Sequence, residues 1–138
     1  MSDFVLDASL ALQWFLEDEN DRKYSLAILA TLANKRALVP FLWFYEVGNG
    51  LLMAERRKRI SKGQIEGFLA RLKALPIDAA HETATAILEL PGFADSHGLT
   101  NYDAAYLRLS RLSNLPLATN DAGLRKAAQA AGVALVIA

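Results

Sequence analysis

Apolar positions along the chain fall into two rhythms. Short unbroken runs at residues 4–6 (FVL), 37–39 (ALV), 75–77 (LPI), 116–118 (PLA) and 133–137 (VALVI) predict buried strands. Longer stretches with helical spacing or composition separate them, at residues 9–16, 21–35, 41–59, 61–75, 81–90, 102–110 and 122–132. In GLTNYDAAYLRLS (residues 98–110) the stripe is explicit: Tyr102, Ala105, Tyr106, Leu109 and Leu112 recur on one helical face, with Thr100 placed as a cap. Gly132 marks a helix stop, and Pro40, Pro76, Pro91 and Pro116 punctuate the turns. LPGFADSHG (residues 90–98) is the least regular stretch. Strands that alternate with helices and are apolar throughout predict a parallel sheet covered on both faces, hence an open, doubly wound α/β fold.

Length and charge narrow the reading. The 138 residues suit one domain, residues 1–138, with a single core. Fifteen basic and fifteen acidic residues cancel, so bulk electrostatics do not draw the protein to nucleic acid or membrane, and a polyanion would need a local basic patch. Without cysteine, disulfides, thiolate zinc sites and cysteine nucleophiles drop out. No basic segment precedes the first apolar run, and Asp7 interrupts it, so neither a signal peptide nor a membrane helix is expected, and a cytoplasmic location is.

Against this background four carboxylates stand apart. Asp7 is the only charge between Asp3 and Glu17, and Glu46 the only one between Arg36 and Glu55. Asp103 is the only acid between Asp95 and Asp121, and Asp121 is the lone charge between Arg111 and Arg125. Ligands of open parallel sheets bind beyond the carboxyl ends of the strands. Asp7 and Asp121 are predicted at such ends, and Glu46 and Asp103 near the starts of helices that can face the same edge. Two carboxylates about 4 Å apart repel by roughly 4 kcal/mol at an effective dielectric of about 20, so a cation or protons must compensate. An all-oxygen donor set selects Mg²⁺ or Mn²⁺, one or two ions, and such ions polarise phosphodiesters and activate water. His81 and His97 adjoin none of the four acids, which leaves no positioned acid–base pair for metal-free chemistry.

Each acid also has a structural explanation. Thr100 and Asp103 are spaced as a capping box, Asp7 and Asp121 stand where N-caps do, and Glu46 could sit in a buried salt bridge. Those explanations treat the acids singly and leave their shared isolation and placement unexplained. Ser9, Asn49, Thr119 and Asn120, each within three residues of a lone acid, are candidates for orienting it or holding a metal-bound water. The run ERRKRISK, with Arg56, Arg57, Lys58, Arg59 and Lys62, reads either as a phosphate or acidic-partner contact or as a solvated helix end.

FVLDASLALQWFLEDE, VPFLWFYEVGNGLL, GLTNYDAAYLRLS and LATNDAGLRKAAQAAGV, in this order over nearly the whole chain, resemble the PIN-domain family, and within it the VapC-type toxins of toxin–antitoxin pairs. The resemblance implies a three-layer α/β/α fold with a five-stranded parallel sheet, and Asp7, Glu46, Asp103 and Asp121 as the catalytic, metal-binding acids of a Mg²⁺- or Mn²⁺-dependent endoribonuclease. It implies Ser9 and Thr119 as supporting hydroxyls, structured RNA such as tRNA or rRNA as substrate, a homodimer, and a cognate antitoxin that inserts a segment into the groove. Pro91 and Gly92 depart from the usual helix there, so a break or short loop before Asp103 is expected. A strand-end phosphoryl-accepting aspartate is disfavoured because Ser9 stands where such enzymes need a second aspartate. A receiver-type pocket lacks its strand-end lysine. The alternative is a non-catalytic PIN-fold module that binds RNA or protein.

Overall fold

The computed structural model describes residues 1–138. Its order is β1 (Phe4–Leu6), α1 (Ala8–Phe15), α2 (Lys23–Thr31), β2 (Ala37–Val39), α3 (Phe41–Arg56), α4 (Lys62–Ala74) and β3 (Ile77–Ala79), followed by α5 (Ala84–Leu88), α6 (Leu90–Ser96), α7 (Asn101–Ser113), β4 (Leu117–Ala118) and α8 (Ala122–Ala130). Four parallel strands lie in the order β3-β2-β1-β4, flanked by the helices. β1 is therefore central: the chain steps outward from it to β2 and β3, then returns to add β4 on its other side. The reversal falls at the carboxyl ends of β1 and β4, the position at which open α/β sheets receive ligands.

All three residues of β1 are buried, as an inner strand covered on both faces requires. Over it pack Leu10, Ala11, Trp14 and Phe15 of α1, Trp43, Val47 and Leu51 of α3, and Tyr106, Leu107 and Leu109 of α7, all in one core. The 43, 47, 51, 54 spacing of buried residues on α3 is the stripe of a helix seated on one face. At Gly50 the approach of α1 leaves no room for a side chain, since a Cβ there would lie 2.5 Å from a Leu12 methyl.

Three expectations need correction. Residues 133–137 do not form a fifth strand; they pair with β4 at a single bridge, Leu117 to Leu135, with Leu117 N–H donating to Ala134 O and Val136 N–H to Leu117 O, both at 2.9 Å. β4 offers little more backbone on that side, because Pro116 and Ala118 turn their carbonyls to β1, accepting the Val5 and Asp7 N–H groups, and the Thr119 carbonyl accepts from the Arg125 guanidinium. Val133 is also held at the end of α8, its N–H on Ala128 O, just past Gly132 at φ +75°. The third strand starts at Ile77, not Leu75, because Leu75 caps α4 and Pro76 cannot donate. Residues 90–98 are largely helical: the helix breaks at Glu89, which ends α5 and starts α6, and Pro91 sits in the first turn of α6, where its missing N–H costs nothing. No helix is long and apolar enough to cross a membrane.

Candidate active site

Asp7 follows β1 directly and Thr119 follows β4, and their strands are neighbours, with Asp7 N–H donating to Ala118 O at 3.0 Å. Strand pairing thus brings together residues 112 positions apart: Thr119 Oγ1 donates to Asp7 Oδ2 at 2.7 Å. Ser9 Oγ donates to the same oxygen at 2.9 Å and Ser9 N–H to Oδ1 at 3.4 Å. Asp7 is the N-cap of α1 and is 6% exposed. Thr119, fully buried, also accepts the Asp121 N–H at 3.1 Å, and Asp121 caps α8 by accepting the Leu124 N–H at 2.8 Å. The capping readings of Asp7 and Asp121 are therefore correct, and capping is what fixes both carboxylates at this edge.

Glu46 lies in the second turn of α3, entered from β2 through Pro40, and Asp103 in the first turn of α7. Thr100 Oγ1 accepts the Asp103 N–H at 3.1 Å, yet the Asp103 carboxylate does not take the Thr100 backbone N–H in return. No capping box closes, and the carboxylate is free of that duty. Asp103 is half-buried, as is Glu46. Glu46 Oε1 accepts a hydrogen bond from the phenol of Tyr106, one turn beyond Asp103 on α7.

The acids perturb one another. Burial raises the Asp7 carboxyl above its ordinary value; the bonds from Thr119 and Ser9 pull it back in part, and the charge of Asp121 adds to the rise. Burial likewise raises Glu46, with Asp7 and Asp103 adding repulsion against the Tyr106 hydrogen bond. Asp103 rises through burial, then through Asp121 and Asp7, and the Thr100 hydroxyl pulls it back in part. No cation offsets this. The molecule's ion pairs are Arg36–Asp78, Arg59 with Asp18 and Glu19, and Arg108–Glu82, and none reaches the four acids. The buried salt bridge considered for Glu46 is absent, and the partner found in its place is a neutral phenol.

In chemistry and charge the donor set suits a hard divalent cation: carboxylate oxygens only, in excess negative charge, at a sheet edge. Its geometry is open, since no three His, Asp or Glu side chains stand close enough around one point to hold an ion. The acids are within reach of one another's fields but do not form a closed cage.

The supporting residues divide. Ser9 and Thr119 touch an acid, as described. Asn120 instead donates to Gln13 Oε1 at 3.5 Å, and Asn49 is exposed on α3 with no hydrogen bond to Glu46. In the basic run Arg56, Arg57, Lys58 and Lys62 are exposed at the end of α3 and the start of α4. Arg59 is not available in the same way. It grips Asp18 at 2.7 and 2.8 Å and Glu19 at 3.1 Å. Tyr106 is the site residue that the sequence did not single out; its place in the apolar stripe concealed a polar role, and its spacing of three from Asp103 was the available signal.

Among solved structures, PAE2754 from Pyrobaculum aerophilum has a similar fold, with a TM-score of 0.69 at 24% identity over 91% of this chain and 84% of that one. VapBC2 from Rickettsia felis, solved bound to a DNA fragment from its promoter, matches with a TM-score of 0.59 at 15% identity over 96% of each chain. FitAcB from Neisseria gonorrhoeae matches with a TM-score of 0.53 at 18% identity over 97% and 96%. These likenesses show the fold. No curated protein matches the sequence. Residues 4–130 match the PIN domain, a span from the first strand to the last helix that takes in all four acids, and the chain belongs to that family.

Proposed function

We propose that this protein is a Mg²⁺- or Mn²⁺-dependent endoribonuclease that hydrolyses RNA phosphodiester bonds, and that it is the toxin of a toxin–antitoxin pair. The observation that carries the reading is a set of acids without a counter-charge: Asp7, Glu46, Asp103 and Asp121 are placed by β1, α3, α7 and α8 near enough to repel one another, and no ion pair of the molecule reaches any of them. Membership of a family whose members are typically metal-dependent nucleases supports it.

Asp7, Glu46, Asp103 and Asp121 would hold the ion or ions. When bound, the metal supplies electrophilic stabilisation of the phosphate and lowers the pKa of a water. Mg²⁺ keeps several waters and takes phosphate oxygens as ligands, so it needs few direct carboxylates, in keeping with an open set of acids. Ser9 and Thr119 hold the Asp7 carboxylate in one orientation, leaving Oδ1 the less occupied oxygen. Asp121 is held through its cap to α8. Asn49 and Asn120 stand within three residues of an acid and orient substrate or water. Arg56, Arg57, Lys58 and Lys62 meet the RNA backbone away from the acids, which compensates for a net charge of zero.

The likeness in fold to VapBC2 and FitAcB supports the rest of the reading. The substrate is a structured RNA of the tRNA or rRNA class, the working form is a cytoplasmic homodimer, and a cognate antitoxin inhibits by occupying the groove. The test is incubation of purified protein with RNA and Mg²⁺ or Mn²⁺, with and without EDTA, beside Asp7→Asn and Asp103→Asn. Cleavage that EDTA and either substitution abolish is expected. Chelator-insensitive cleavage, or full activity in both variants, refutes the reading. RNA binding without cleavage under any metal condition would identify a non-catalytic module.

A further inference from the structure

We infer that Tyr106 is a positioning residue for the metal site: its phenol fixes the Glu46 carboxylate through Oε1 so that the second oxygen is presented to the ion. The inference rests on the metal-dependent reading above and deepens it.

Tyr106 is 1% exposed, inside the core beneath α7. A phenylalanine would fill that volume without a polar atom to satisfy, and a buried phenol is tolerable only where its hydroxyl finds a partner. The partner is a half-buried carboxylate on another helix, 60 residues away. This is the one hydrogen bond that the Glu46 carboxylate receives from the protein. Without it the side chain would be a flexible glutamate pushed outward by Asp7 and Asp103, both of which repel it.

The tether also sets a distance. Asp103 and Tyr106 are three apart on α7 and so share a face, so α7 supplies one acid itself and grips the acid of α3 from the next turn. The separation of the α3 and α7 carboxylates thus depends on one rigid element instead of on two independently mobile side chains, which is the preorganisation that metal affinity requires.

Mn²⁺ alone is the probe, with uptake measured by electron paramagnetic resonance or calorimetry in the absence of RNA. Tyr106→Phe retains the ring, so the circular dichroism spectrum should match wild type, while affinity for Mn²⁺ falls about 10-fold or more, the usual effect of losing a group that orients a ligand. In a Glu46→Gln background the same substitution should have no further effect, because Tyr106 acts through the Glu46 charge. Unchanged affinity in Tyr106→Phe, or an equal loss in the Glu46→Gln background, overturns the inference. If wild-type protein takes up no Mn²⁺, the metal reading itself falls and this inference with it, whereas normal uptake by wild type and Tyr106→Phe alike removes the inference only.

Discussion

Asp103→Asn separates a capping carboxylate from a ligand, because it removes the charge and nothing else of similar size. The cap of α7 survives, since it runs from the Asp103 backbone N–H to Thr100 Oγ1. Two terms then decide the stability of the metal-free protein. A negative charge in the first turn of a helix is worth about 0.3–1 kcal/mol through the helix dipole, and that is lost. Against it stands the raised carboxyl of Asp103, caused by burial and by Asp121 and Asp7. A folded pKa above the unfolded one means that the charged form is less stable in the fold than in the open chain, so the repulsive terms win and removing the charge should help. Metal-free Asp103→Asn is therefore expected to melt at or above the wild-type temperature at pH 7. Saturation reverses the order. At about 100 times its dissociation constant a ligand stabilises by about 2.7 kcal/mol, which for a domain of this size raises the melting temperature by roughly 8–13 °C. Wild type should show that rise with Mn²⁺, and the variant little of it. Thermal melts with Mn²⁺ and with EDTA read both quantities. A variant that melts well below wild type in EDTA yet keeps the full Mn²⁺ shift would show that Asp103 serves the helix and not an ion.

The same signs govern pH. Asp7, Glu46 and Asp103 all titrate higher in the fold than in the unfolded chain, so their destabilisation is fully present above the raised values and disappears as pH falls through them toward the ordinary carboxylate range; the metal-free melting temperature should climb over that window, and Mn²⁺ should suppress the climb. Thr119→Val removes a fully buried hydroxyl that donates to Asp7 and accepts from Asp121, and urea unfolding should show a loss of about 1–3 kcal/mol for the groups left unpaired. Gly50→Ala drives a Cβ against Leu12 and is expected to cost about 1–3 kcal/mol by overpacking, less about 1 kcal/mol recovered in helix propensity; equilibrium unfolding checks the sum. Arg56→Ala and Arg57→Ala should weaken RNA binding and lower the slope of log affinity against log salt by about 0.7 for each single-strand phosphate no longer neutralised, while Arg59→Ala, already committed to Asp18 and Glu19, should change that slope less.

The parts of the fold that were legible in the sequence are those set by local pattern. β1, β2 and the starts of α3 and α8 follow from apolar runs, a proline and an N-cap aspartate, and the structure has them where these signals stand. The failures come from competition for backbone. Residues 133–137 have the composition of a strand, but a strand needs a partner ladder, and β4 is only two residues long. Residues 90–98 looked irregular because Pro91 and Gly92 are poor helix formers, a weakness that the first turn of a helix tolerates. At the site, the isolation of Asp7, Glu46, Asp103 and Asp121 along the chain corresponds to isolation from cations in space, which sequence could suggest because surface acids usually have basic neighbours. It could not show that Arg59 is neutralised by Asp18, 41 residues away, or that Tyr106 turns its hydroxyl toward Glu46, because both depend on tertiary packing.

If the four solitary acids are jointly a divalent-cation site, they must share an ion. A crystal soaked in Mn²⁺ and measured for anomalous scattering tests this most directly. A peak bounded by Asp7, Glu46, Asp103 and Asp121, reduced in Asp103→Asn, is expected. Mn²⁺ that at saturating concentration leaves that edge of the sheet without a peak, or binds only at other surface carboxylates, would show that these acids are not a metal site.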